Sequence, residues 1–180
     1  MNPHPKVHFE ALHELIDLIY QAALGPACWQ NFADAWSKAS GGGGGIVLLQ
    51  DSQGCLPTDV AVSSGFSESS MDDYVAHYDA DNPFMEGFLD ADVGRVYTSE
   101  ELVRPKQLLK SEFYNDWTRP QGYVSGIGSV ITQGDDRNMI LSLIQDSREV
   151  GIGNPEAKQL LDYWYRTCAG QRKSHAILQI

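Results

Sequence analysis

Between Gly122 and Gln145 the apolar residues recur at a period of two, the spacing of β-strands. Along a first arm, Gly122 to Thr132, Tyr123, Ser125, Ile127, Ser129 and Ile131 share one face, and Val124, Gly126, Gly128 and Val130 share the other. A second arm, Asn138 to Gln145, is apolar on both faces, with Ile140 and Ile144 alternating with Met139, Leu141 and Leu143. Such an arm must be covered on both sides, so it belongs in the middle of a sheet. Gln133, Gly134, Asp135 and Asp136 turn the chain between the arms. The glycine face of the first arm suits a closely packed helix. Its other face, a phenol and two hydroxyls among isoleucines, is expected to floor a pocket.

The period elsewhere is mostly helical. From Val7 to Leu24 two apolar seams lie side by side: Phe9, Leu12, Ile16, Ile19, Tyr20 and Ala23, then Ala11, Leu15, Leu18 and Ala22. So wide a face is covered either by the domain alone or by the domain and a second subunit. Gly25-Pro26 ends this helix and starts another, striped by Trp29, Phe32, Ala33 and Trp36. Five glycines, Gly41 to Gly45, then precede a strand at Ile46–Gln50. A phosphate-binding loop needs the opposite order, strand before and helix after, so the run reads as a flexible connector. Asp51 to Gly54 turns into a partner strand at Thr58–Ser63. A helix is expected over Ser67–Tyr78, a short one over Pro83–Leu89, and a strand fragment at Val96-Tyr97. Thr98 and Glu101 have capping-box spacing, and Lys106–Trp117 reads as helical with Leu109, Phe113 and Trp117 aligned. The last helix begins at Asn154-Pro155 and carries Ala157, Leu160, Leu161, Trp164 and Cys168. This order predicts one α+β domain over residues 1–180, PAS/GAF-like, with an antiparallel sheet. The terminal helices would cover one face and the middle helices the other, enclosing a cavity.

Charge and cysteine count narrow the function. The formal charge of −11 repels phosphate backbones and anionic membrane surfaces, so neither nucleic acid nor membrane is an expected direct partner. Only Arg166, Arg172 and Lys173 make a locally basic patch. Three widely spaced cysteines, Cys28, Cys55 and Cys168, indicate reduced thiols in a cytoplasm, and the first residues lack an apolar signal region.

Catalytic patterns do not emerge. There is no G-x-S-x-G elbow, and His77 among Asp72, Asp73, Asp79 and Asp81 reads as a solvated histidine on an acidic helix. No histidine or cysteine pairing has zinc spacing. Asp90-x-Asp92 with Glu101 mimics a calcium loop but puts Gly94 where an oxygen ligand belongs and Arg95 where glycine is required. Neither catalytic residue, metal nor cofactor is therefore expected. What stands out is an aromatic group in the middle third: Tyr74, Tyr78, Phe84, Phe88, Tyr97, Phe113, Trp117 and Tyr123. Packed core accounts for any one of them. As a group with Ser125 and Ser129 they offer an apolar site with a few polar contacts.

The chain also resembles the amino-terminal sensory domain of LuxR-type helix-turn-helix transcription regulators. The residues that carry the likeness are Leu15–Ala23, Gly25-Pro-Ala-Cys-Trp29, Tyr78-x-x-x-Asn82-Pro83, Ser111-Glu-Phe-Tyr-x-Asp-Trp117 with Pro120-Gln-Gly122, and the helix from Pro155. The resemblance implies a small-molecule site and matches Tyr78 and Asn82 to it; with the aromatic group and the hydroxyl-bearing strand face, the expected site is Tyr74, Tyr78, Asn82, Phe84, Phe88, Trp117, Tyr123, Ser125 and Ser129. It also implies a DNA-binding helix-turn-helix domain following the last helix, outside this sequence, while the double apolar seam from Phe9 to Ala23 together with the last helix predicts a homodimer. In the quorum-sensing branch an aspartate before proline holds the signal's amide. Here Asn82-Pro83 stands at that place, no tryptophan precedes it, and Tyr74 is out of step by a residue. This counts against an acyl-homoserine lactone, while an asparagine that both donates and accepts keeps a polar ligand in play. Two other readings compete: a ligand-free dimerisation module, which a filled sheet-to-helix layer would favour, and a small hydrolase dependent on His77.

Overall fold

A computed structural model describes residues 9–22, 28–39, 43–51, 59–133, 137–146 and 155–169. Strands β1 (Gly44–Asp51), β2 (Asp59–Ser64), β3 (Tyr97–Thr98), β4 (Tyr123–Gln133) and β5 (Arg137–Asp146) form one antiparallel sheet in the order β2-β1-β5-β4-β3. The strand that is apolar on both faces, β5, lies in the centre. Helices α1 (Phe9–Ala22), α2 (Cys28–Ala39) and α7 (Pro155–Ala169) cover one face of the sheet. Their Leu12, Leu15, Ile19, Phe32, Trp36, Leu161 and Trp164 pack on Val47, Leu141 and Leu143. The other face carries the middle of the chain: α3 (Glu68–Asp73), α4 (Phe84–Leu89), α5 (Ser99–Leu102) and α6 (Pro105–Leu108). Two wide π turns, Tyr74–Tyr78 and Phe113–Thr118, complete this layer, and a 3₁₀ turn at Arg119–Gln121 leads back to the sheet. Each large side chain so buried contributes about 1.5–3 kcal/mol. The expected α+β arrangement, terminal helices on one face and middle helices on the other, is the one observed.

The faces of β4 are the reverse of the expectation. Ile127 and Ser129 pair with Leu143 and Leu141, and Ile127 and Ile131 join the terminal-helix core. Gly128 and Val130 pair with Ser142 and Ile140 and face the middle helices. The glycines still serve close packing, but the partner is an aromatic ring: a Cβ on Gly128 would overlap Phe88. The register shifts between Tyr123 and Ser125, so one extra residue there returns Tyr123 to the middle-helix side.

Other expectations are corrected. Lys106–Trp117 is not one helix: α6 ends at Leu108, a turn follows, and Leu109 is 57% exposed instead of aligned with Phe113. Gly44 and Gly45 are strand residues rather than connector, and a Cβ on Gly44 would meet the Phe66 ring. Both seams of α1 are used within the domain, Leu12, Leu15 and Ile19 fully and Ile16 and Leu18 in part, leaving Tyr20 37% exposed. The left-handed Gly122 after Pro120 closes the 3₁₀ turn and launches β4. The expected turns at Gly25-Pro26, Ser52–Gly54 and Gly134–Asp136, the glycines at 41–42, the cap at Asn154, and Arg172 and Lys173 lie outside the described residues, as do the cysteine side chains. No helix among the described residues is long and apolar enough to cross a membrane.

Candidate functional site

Between the sheet and the middle helices lies a cavity of about 70 Å³. Ile46, Leu48, Gly126, Ser142 and Ile144 form its floor, so it rests on the glycine-bearing face of the sheet. Phe84, Met85 and Phe88 of α4, Ser99 and Leu102 of α5, Leu108 of α6, and Phe113, Tyr114, Trp117 and Thr118 of the second π turn wall it. Of the nine residues singled out in the sequence, Tyr74, Asn82, Phe84, Phe88, Trp117 and Tyr123 line the cavity, and Ser125 borders it at the register shift. Ser129 does not: it is 0% exposed, opposite Leu141 in the terminal-helix layer. Tyr78 stands behind the wall, its ring 6.4 Å from that of Trp117.

Trp117 is the hub of the wall. Phe66 stacks on it at 5.4 Å and 7° between planes, and the rings of Tyr74 and Phe113 lie 5.0 and 5.2 Å away. Its indole N–H donates to the Ser70 carbonyl at 2.8 Å, the Ser70 hydroxyl donates to Gln121 at 2.7 Å, and the Gln121 amide donates back to the Trp117 carbonyl at 2.7 Å. This closed ring of bonds ties α3 to the second π turn. Tyr123 is fixed in the same way, its hydroxyl donating to the Gly65 carbonyl at 2.7 Å.

The polar pole of the cavity is Tyr74, Asn82 and Asp79. Asn82 Nδ2 donates to the Tyr74 hydroxyl at 3.1 Å, while Asn82 Oδ1 accepts from the Phe84 amide at 3.0 Å and so sets the start of α4. The Tyr74 hydroxyl donates in turn to Asp79. Burial pushes the Tyr74 pKa far up; the Asn82 bond pulls it back in part, and the Asp79 charge adds to the rise. Asp79 is only 9% exposed, so it is not part of a solvated acidic face. Its position follows from the π turn, whose wide bond from the Asp79 amide to the Tyr74 carbonyl spans 2.9 Å. Phe66, Asp79, Met85 and Ser142 were not foreseen. The only sequence signal for Ser142 was its place in the alternation of β5.

Elsewhere, His77 is exposed and meets the Tyr78 ring edge-on. No cluster of three or more metal-ligating side chains occurs among the described residues. Asp92 accepts from the Tyr97 hydroxyl at 3.3 Å and lies 3.9 Å from Arg95, in place of any calcium-loop geometry. Glu101 accepts from the Thr98 amide at 2.8 Å, the expected capping contact, and pairs with Arg95 at 3.1 Å and with Lys158 of α7 at 3.6 Å. Further along α7, Tyr165 packs against Gly94 so closely that a Cβ there would overlap its ring.

A search of solved structures finds the ligand-binding domain of VqsR from Pseudomonas aeruginosa at a TM-score of 0.68, covering 97% of this chain and 99% of that one at 13% identity. The chain has the fold of the ligand-binding domains of LuxR-type regulators. Escherichia coli SdiA is also found, at a TM-score of 0.45 and 14% identity, with 89% of this chain matched to 61% of that one. No protein-family model matches the chain, and no curated protein matches its sequence.

Proposed function

We propose that this chain is a small-molecule-sensing regulatory domain that controls an attached or partner DNA-binding domain, and that it is not an enzyme. The observation that carries the reading is the cavity between sheet and middle helices, apolar along its walls and polar at Tyr74 and Asn82. Such a combination is what small-molecule sites use. Its fold, that of the VqsR ligand-binding domain, supports the same reading. In this proposal the domain works in the cytoplasm as a homodimer, and Tyr74, Asn82, Phe84, Phe88, Trp117, Tyr123 and Ser125 meet the ligand. Tyr78 acts only as support behind Trp117, and Ser129 has no part. Native mass spectrometry of the freshly purified protein tests it: a co-purified compound of fixed mass, lost on mild unfolding, is the expected result. The modest size of the cavity favours a second reading, a ligand-free interaction module. That reading gains if no compound is carried and if variants that fill the cavity are more stable than the wild type.

A further inference from the structure

The lining of the cavity restricts what can enter it. Among the described residues, no lysine, arginine or histidine lines the cavity. Asp79, the carboxylate that accepts from the Tyr74 hydroxyl, is an acid held behind it. A buried anion needs a partner of opposite charge, and here it would meet none. Size restricts the occupant further. A dry cavity of about 150 Å³ is enough for benzene, and this one measures about 70 Å³. A single ring needs only a small widening, for which the unbranched Met85 side chain is the most adaptable part of the wall, whereas a long chain needs far more.

One polar group on the floor awaits a partner. Ser142 sits at the centre of the sheet, between Ile46 of β1 and Gly128 of β4, on the cavity face. Among the described residues its hydroxyl has no hydrogen-bond partner; of the other lining hydroxyls, those of Tyr74, Thr118 and Tyr123 are engaged and those of Ser125 and Tyr114 are not, but only Ser142 lies on the central strand of the floor. A hydroxyl in apolar surroundings gains most from a bond that a bound molecule supplies. We propose that the cavity takes an uncharged, mainly apolar molecule of about one ring, oriented by a hydrogen bond to Ser142. This rests on the sensing reading and narrows it to a ligand class.

The test is a ligand-observed NMR titration of the 180-residue chain with benzyl alcohol, toluene, benzoate and 1-octanol. Benzyl alcohol should bind, benzoate should bind at least about tenfold more weakly, and octanol no more tightly than benzyl alcohol. Ser142→Ala, a small change that leaves the fold in place, should weaken benzyl alcohol about three- to tenfold and leave toluene unchanged. Tighter binding of benzoate or octanol, or an equal effect of Ser142→Ala on toluene, overturns the assignment. If none of the four binds while native mass spectrometry finds a larger or charged compound, the ligand class is wrong and the sensing reading stands. If neither method finds a ligand, both fall.

Discussion

Removing one oxygen from Tyr74 probes the polar pole directly. The side chain is 1% exposed, and its hydroxyl links Asn82, at 3.1 Å, to Asp79. Tyr74→Phe keeps the ring against Trp117 and Phe113 and deletes only that link. A buried polar group deprived of its partner costs about 1–3 kcal/mol, and here both neighbours lose one. For a chain of this length each kcal/mol moves the melting temperature by about 2–4 °C, so the variant should melt about 2–12 °C below the wild type near pH 7. The pH dependence sharpens the test. Burial keeps the folded hydroxyl protonated, with its pKa raised above the ordinary 10.0. The stability this supplies is therefore complete below pH 10 and is lost as the pH rises above it, because the unfolded chain ionises first. The phenylalanine variant has no such group, so the gap between the two proteins should narrow above pH 10. Circular dichroism melts at several pH values, with Tyr78→Phe as a half-buried control expected to fall within about 0.5 kcal/mol of wild type, decide the matter. Equal melting temperatures at pH 7, or a gap that stays constant into alkali, would refute the described geometry of the pole.

Ser129→Phe should cost about 1–3 kcal/mol by overpacking the terminal-helix layer, without displacing a ligand; a variant of wild-type stability would mean that the faces of β4 are wrongly assigned. Glu101→Ala should lower stability by less than about 1 kcal/mol. Its backbone bond to Thr98 holds the carboxyl below the ordinary carboxylate range, so that difference should be full above pH 4.5 and vanish in more acidic melts. Sedimentation at roughly tens of micromolar should show the proposed homodimer, and monomer alone at that concentration removes it from the model of function. The chain by itself should not bind random duplex DNA at physiological salt, given its charge of −11; sub-micromolar binding would contradict this.

The sheet was legible in the sequence because its signal is strong and local. Period-two alternation and a doubly apolar arm sufficed to place β5 in the centre and β4 beside it. Which face of β4 looks at which helices was not legible. Alternation says that residues differ in side, not which side is which, and the register shift near Tyr123 changes the phase partway along the strand. The aromatic wall was visible as a cluster, and Phe84, Phe88, Trp117 and Tyr123 converge as expected. Asp79 was missed because it closes a π turn, whose wider winding leaves no trace in a 3.6-residue periodicity; Lys106–Trp117 was misread because tight i→i+3 bonds at Lys110 and Ser111 break it before the second π turn begins.

The contacts of α5 and the Gly94 bend with α7 mean that the two layers touch around the margin of the sheet. α5 lends Ser99 and Leu102 to the cavity and, one residue from Leu102, lends Glu101 to Lys158 of α7. The five strands act as a bulkhead, and β3, only two residues long at its margin, is the gap beside which the layers touch. The ionic half of this joint is exposed and so weak. The other half, Tyr165 seated on a left-handed Gly94, admits no side chain at that glycine. At this margin the cavity-side segment therefore meets α7, the last helix described, through one soft contact and one hard one.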